Sequence, residues 1–114
     1  MVDCVFCGIA QGKIPSNLLY EDNDIIAFRD VAPQTPVHIL IVPKKHIASL
    51  NDADQLSDDI LAKLLRVASQ LAREHGLRER GFRIVSNTGV DSCQSVPHLH
   101  IHLLGGRAMG AEIA

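Results

Sequence analysis

No tryptophan occurs in this chain of 114 residues, and its only other aromatics besides histidine are one tyrosine and three phenylalanines. That excludes an aromatic platform for stacking single-stranded bases. Net charge is scant as well. Eleven lysines and arginines against thirteen acidic residues give a formal charge of −2, so the electrostatic footprint of a nucleic-acid binder is missing. The pair Lys44-Lys45 reads as solvated. Long apolar runs are absent. Ile39-Leu40-Ile41-Val42 is far short of a bilayer span, and Met1-Val2-Asp3-Cys4 has neither a basic flank nor an apolar leader. The three cysteines, an odd number, argue against a secreted disulfide framework. The expectation is a cytoplasmic protein with no membrane and no nucleic-acid partner.

The length predicts one domain over residues 1–114 with an ordinary core. Residues 4–12 read as a helical turn or short helix, and residues 14–17 as a connector. The polar turn Glu21-Asp22-Asn23-Asp24 opens a strand over residues 25–28. Two prolines make residues 30–36 a loop. Residues 37–42 are nearly all apolar and form a central strand that Pro43 ends. Ile60, Leu61, Leu64, Leu65, Ala68, Leu71 and Ala72 recur at helical spacing, which predicts a helix over residues 58–75. Ser57 is its N-cap and Gly76 its stop. Strands follow over residues 82–86 and 98–104, separated by a loop of small polar residues. The order β, β, α, β, β predicts an α+β fold, an antiparallel sheet with one long helix across a face.

What the chain does have is a row of histidines: His98-Leu99-His100-Ile101-His102. In a strand, alternate side chains share a face, so the three imidazoles point one way, neighbours roughly 6.5 Å apart. Burying three neutral rings takes three separate partners, because an unmade buried hydrogen bond costs about 1–3 kcal/mol. Metal ligation and acid–base or nucleophilic chemistry both fit such a row. The preceding loop, Asn87-Thr88-Gly89-Val90-Asp91-Ser92-Cys93-Gln94-Ser95, can bring main-chain N–H groups to an anion. A phosphate attacked by an imidazole is then a coherent site.

The segment His98–Leu104 resembles the signature of the histidine triad family of nucleotide hydrolases and transferases. Other segments resemble its Hint branch: Asp30-Val31-Ala32-Pro33-Gln34-Thr35-Pro36-Val37-His38, Val42-Pro43-Lys44-Lys45-His46-Ile47, the lead-in Gln94-Ser95-Val96 and the trailing Leu104-Gly105-Gly106-Arg107. The likeness runs from Phe6 to about Met109. It implies a sheet of about five strands with the long helix packed across it, and a homodimer in which two sheets join into one. It also implies hydrolysis of nucleoside 5′-phosphoramidates through a covalent nucleotidyl-histidine, with a purine nucleotide as substrate and no catalytic cofactor. His100 would be the nucleophile. His102 and Ser95 would contact the phosphate or the leaving group, with Asn87, Cys93 and Gln94 beside them. His38 would hydrogen-bond the far side of His100. Asp30 would hold the ribose, and Phe6, Ile9, Phe28, Val31 and Leu40 would sandwich the base. Within the same family, a dinucleoside polyphosphate hydrolase is the rival activity. Outside it, the rival is a nucleotide-binding scaffold.

Cys4-Val5-Phe6-Cys7 is a C-x-x-C, a spacing shared by zinc and redox sites. Only three residues precede it, too few for the strand that a thioredoxin-like motif needs. Zinc requires two further ligands. His46 and His98 reach the cysteines if their strands are neighbours, and the resemblance to bacterial Hint proteins implies that set: Cys4, Cys7, His46 and His98 around a structural zinc. Two departures stand out. Cys93 occupies a position where the family commonly has glycine, and the tail after Met109 lacks an aromatic residue found in some members.

Overall fold

The computed structural model describes residues 4–114; Met1, Val2 and Asp3, read above for a leader, lie outside the described residues. A short helix α1 (Val5–Ala10) leads into strands β1 (Leu18–Glu21), β2 (Ile25–Arg29) and β3 (Val37–Pro43). The long helix α2 (Asp58–Glu74) follows, then β4 (Phe82–Val85) and β5 (Ile101–Gly105). The strands form one antiparallel sheet in the order β1-β2-β3-β5-β4.

Each element forms for a local reason. The Asp22 carboxylate accepts from the main-chain N–H of Asp24 and of Ile25, both at 2.8 Å, which closes the turn that opens β2. The Ser57 hydroxyl accepts from Ile60 N–H at 3.2 Å and caps α2. Asp58 and Asp59 fill the first turn of that helix and Arg73 the last, in line with its dipole. Its buried residues, Leu64, Val67, Ala68, Leu71 and Ala72, recur at i, i+3, i+4 spacing. Gly76, at φ +73°, stops the helix where a side chain would be strained.

The central strands are covered on both faces, which is why they read as nearly continuous apolar runs. Ile25, Ala27, Ile39, Ile41, Ile101 and Leu103 meet α2. Ile26, Phe28, Leu40 and Val42 point the other way and meet Phe6 and Ile9 of α1. Period two along β3 therefore puts His38 on the α1 face with Leu40. Leu40 pairs with His102 of β5, and His38 with Leu104.

Two features differ from the residue pattern. That pattern locates four strands; the fifth, which the resemblance implies, is the edge strand β1, whose four residues do not alternate in burial and whose pairing with β2 carries a bulge between Leu18 and Tyr20. The strand bearing the histidines begins at Ile101, not at residue 98. Pro97 explains this. His98 N–H folds back to the Val96 carbonyl at 2.8 Å across that proline, and Leu99 N–H goes to the Ile47 carbonyl at 2.8 Å. A proline's fixed φ suits such a three-residue turn and interrupts the ladder. Among the described residues, no helix is long and apolar enough to cross a membrane.

Candidate active site and metal centre

Two cavities meet at the end of β5. One, of about 330 Å³, is walled by Phe6, Ile9, Phe28 and Leu40, with Asp30, Ser95, His100 and His102 at its polar end. Val31 lines it too, and at 97% exposed it sits on the rim. The other, of about 390 Å³, is lined by Gln34, His38, Asn87 and Cys93. Ser95 and His102 line both.

Main-chain bonds dictate where each imidazole proton sits, because an N–H can only donate and a carbonyl can only accept. Gln34 N–H donates to His38 Nδ1 at 3.1 Å, so a neutral His38 keeps its proton on Nε2. That Nε2–H lies 2.9 Å from His102 Nδ1 and 3.4 Å from Asp30 Oδ2. A neutral His102 accepts it at Nδ1 and so carries its own proton on Nε2. His100 Nδ1–H donates to the His98 carbonyl at 2.7 Å, which leaves the Nε2 lone pair of His100 unprotonated. His98 Nε2–H donates to the Pro43 carbonyl at 2.8 Å, leaving its Nδ1 as the ligating atom. The rings of His100 and His102 have centroids 4.9 Å apart.

Burial favours the neutral form of His102, His38 and His98. It pushes His102 down to about 4, helped by the neighbouring His100 and His38. Burial also lowers His38, partly offset by the Asp30 carboxylate, and lowers His98.

The expected bond from His38 to His100 is not made. His38 stands diagonally across from His102 in the β3–β5 register, whereas His100 precedes β5 and turns its Nδ1 back to its own chain. The side chain of Gln94, which the resemblance places beside the nucleotide, is taken up by the fold. Its amide donates to the Ala48 carbonyl at 2.6 Å and the Val96 carbonyl at 3.0 Å, and its oxygen accepts from Gly89 N–H at 3.0 Å. Asn87 donates to the Ser92 carbonyl at 2.8 Å, so its nitrogen holds the loop while the side chain borders the second cavity. Asp30 accepts from Ala32 N–H at 2.8 Å and also borders the first cavity. Cys93 is left-handed, at φ 58° and ψ 40°, which explains why glycine suits this position. Sequence reasoning missed Gln34 and Pro43, both of which act through main-chain atoms and so leave no side-chain signal.

Cys4, Cys7, His46 and His98 come together at the other end of the row. His46 Nδ1 and His98 Nδ1 are 3.1 Å apart. Cys7 Sγ lies 3.2 Å from His46 Nδ1 and 3.5 Å from His98 Nδ1, and Cys4 Sγ lies 3.4 Å from His98 Nδ1. A zinc tetrahedron with Zn–N about 2.05 Å and Zn–S about 2.3 Å places nitrogens about 3.3 Å apart and nitrogen and sulfur about 3.6 Å apart. The donor set fits zinc in kind and in spacing. The Pro43 carbonyl holding His98 Nε2–H is the outer partner such a ligand needs. Burial, with the contact to Cys4, pushes the Cys7 thiol up to about 11, so its thiolate calls for an adjacent cation. Asp30, His38 and His102 also cluster within metal-ligand reach. There, however, the proton that Gln34 forces onto His38 Nε2 occupies the ligating lone pair.

One helix across a five-stranded antiparallel sheet, with a histidine row where two cavities meet, defines a histidine-triad α+β protein. The chain belongs to the HIT domain family, whose model matches residues 11–109. It is 49% identical over 109 residues to a 14 kDa zinc-binding protein of Brassica juncea, covering 94% of this chain and 96% of that one. It is 48% identical to adenylylsulfatase HINT1 of Arabidopsis thaliana, covering 92% and 72%. It is 39% identical to the purine nucleoside phosphoramidase of Escherichia coli K12, covering 98% and 94%. Among solved structures, a HIT family hydrolase from Legionella pneumophila Philadelphia 1 superposes with a TM-score of 0.89 at 50% identity, covering 96% of this chain and 97% of that one.

Proposed function

We propose that this protein hydrolyses purine nucleoside 5′-phosphoramidates through a nucleotidyl-His100 intermediate. The observation that carries the reading is the 2.7 Å bond from His100 Nδ1–H to the His98 carbonyl, which directs the ring's free lone pair to Nε2 at a cavity wall. The base lies between Phe6, Ile9, Phe28 and Leu40, with the ribose at Asp30. His100 Nε2 attacks phosphorus, the P–Nε2 bond forms, and the P–N bond to the amine breaks. The departing amine takes up the proton of His102 Nε2, and the water of the second step returns one to that nitrogen as it attacks phosphorus. Water then cleaves the nucleotidyl-imidazole and releases the nucleoside monophosphate. His102, with its proton on Nε2, and the Ser95 hydroxyl hold the phosphate oxygens or the leaving nitrogen. The second cavity receives the leaving group. The relative named a phosphoramidase and the relative named an adenylylsulfatase point to different leaving groups, and the amine rests on the resemblance to the phosphoramidase.

Zinc held by Cys4, Cys7, His46 and His98 is structural, because four protein donors leave no position for water. We read the protein as a cytoplasmic homodimer. The edge strand β4 exposes Phe82 and Ile84, 40% and 37% accessible, as an apolar face for joining two sheets. A monomer in sedimentation velocity at micromolar concentration would remove that part.

The deciding experiment traps the protein with an adenosine phosphoramidate or a slow phosphorothioate analogue and maps the adduct by mass spectrometry. A nucleotidyl mass at His100, absent in His100→Ala, is expected. An adduct elsewhere, or turnover that survives in His100→Ala, would overturn the mechanism. Parallel kcat/KM values on adenylyl sulfate and a dinucleoside polyphosphate fix the leaving-group class.

A further inference from the structure

Phe6 stands between the two cysteines of the metal centre and against the ring assigned as nucleophile. Its centroid is 5.0 Å from that of His100, with the planes at 82°, and 6.0 Å from that of His98 at 70°. On its other side it meets Phe28 edge-on at 5.5 Å. Only 6% of it is exposed. One side chain thus touches a metal-ligand histidine, the nucleophile and the opposite wall of the base cavity.

Helix α1, which carries Phe6, has six residues. A helix that short does not hold itself together in water. Among the described residues, 4–11 make no hydrogen bond to a strand of the sheet; their polar contacts beyond the neighbouring chain are those of the Cys4 and Cys7 sulfurs with His46, just after β3, and His98, just before β5. The remaining grip is apolar: Phe6 and Ile9 against Ile26, Phe28, Leu40 and Val42. Two of those contacts, Phe28 and Leu40, lie on the wall of the cavity itself. The sulfur contacts are thus the polar part of what holds α1 over a pocket that its own residues help to build.

We propose that Phe6 is a positioning residue through which the occupied metal centre sets both the orientation of His100 and the wall of the nucleotide pocket. With metal bound, the Cys4 and Cys7 ligands clamp both ends of the Val5-Phe6 step. The T-shaped ring contact then restrains the His100 imidazole about the bond to the His98 carbonyl, and Nε2 stays aimed at the cavity. Without metal, α1 is tied by apolar contact alone. The pocket loses a wall, and His100 keeps its tautomer but not its aim. The metal thereby governs nucleotide affinity while ligating nothing in the substrate. The idea rests on the nucleotide reading of the first cavity given above.

The test compares the intact protein, zinc-loaded and chelated, with Phe6→Ala and Phe6→Leu. Binding of adenosine monophosphate is read by calorimetry, and kcat and KM by turnover of an adenosine phosphoramidate. Chelating the wild type is expected to weaken nucleotide binding about tenfold, and loaded Phe6→Ala to show a loss of similar size. Chelating Phe6→Ala then adds less than about twofold, because both changes remove the same brace. Loaded Phe6→Leu refills the wall without placing an aromatic ring against His100, so KM holds within about twofold while kcat falls about tenfold. Additive losses, or a chelated wild type that binds nucleotide as well as the loaded one, overturn the proposal. If chelation abolishes cooperative melting, loaded Phe6→Leu decides alone, and an unchanged kcat overturns it. A loaded wild type that binds no nucleotide overturns instead the reading of the cavity.

Discussion

His38 Nε2 lies 2.9 Å from His102 Nδ1, across the ladder between β3 and β5. The contact is one link in a relay of fixed protons. Gln34 N–H sets the tautomer of His38, and His38 sets that of His102. His100 is set separately, by the carbonyl of His98. The two rings that face the cavities are thus prepared for opposite tasks: His100 with a lone pair on Nε2, His102 with a proton there. Neutral imidazoles side by side need such outside instruction, because nothing intrinsic to the ring chooses between its nitrogens.

Replacing His38 by leucine removes that instruction while keeping an apolar side chain of similar bulk in a buried position. His102 Nδ1 is then left without its donor, and the proton distributes between both nitrogens. The expected result is a fall in kcat of roughly 10²–10³, the range of a misplaced acid–base group, with KM within about threefold. Steady-state kinetics on an adenosine phosphoramidate checks this. A kcat within threefold of wild type would show that the relay is idle.

Much of this was legible in the chain. The α2 boundaries and its Ser57 cap follow from an apolar stripe and from residues whose side chains act locally. Of the metal set, the C-x-x-C was readable from its spacing, while His46 and His98 came from the resemblance to bacterial Hint proteins, and the fold brings all four side chains together. What escaped reading depends on main-chain atoms or on register. Nothing in the letters Gln34 or Pro43 says that an N–H or a carbonyl will meet a particular imidazole nitrogen. His38 was assigned to the wrong ring because a diagonal across two strands cannot be drawn before their register is known. Gln94 resembled a ligand contact by its place in the motif, and only the approach of Ala48 and Gly89 shows its amide spent on the loop. Strand β1 was too short, and too evenly half-exposed, to declare its period.

In the proposed reading the row divides between metal and chemistry, and the division is measurable. His98 directs Nδ1 to the sulfur cluster, while the Nδ1 atoms of His100 and His102 are already occupied by the His98 carbonyl and by His38. Atomic emission on purified protein is expected to give about one zinc per chain in wild type, His100→Ala and His102→Ala. Cys7→Ser and His98→Ala should hold well under half of that. Loss of a closed site also removes a crosslink between α1 and the sheet, so melting should drop by roughly 10 °C in those two variants. Zinc lost from His100→Ala would mean that the whole row is a ligand set, and the enzymatic reading would fail with it.

Acid stability reports on His102. Burial first, then the neighbouring His100 and His38, holds its folded pKa at about 4, against 6.5 for an unperturbed ring. Above the higher value both folded and unfolded chains carry the neutral ring, and pH has no leverage through it. Between the two values the unfolded chain takes up a proton that the folded chain refuses. Stability therefore rises with pH across this window and is lost as pH falls toward 4, with a slope of at most about 1.4 kcal/mol per pH unit from this one group. The wild type should melt at a lower temperature at pH 5 than at pH 7, and His102→Leu, which has no such proton to gain, should show a shallower dependence. A nucleoside monophosphate offers a sharper version of the same measurement. Its phosphate beside His102 favours the protonated ring and raises the folded value toward the unfolded one, so saturating nucleotide should flatten the wild-type curve and leave that of His102→Leu unchanged in slope. Equal slopes for the two proteins without ligand would mean that His102 is not the group whose burial is felt, and that its proton is not held as the His38 contact requires.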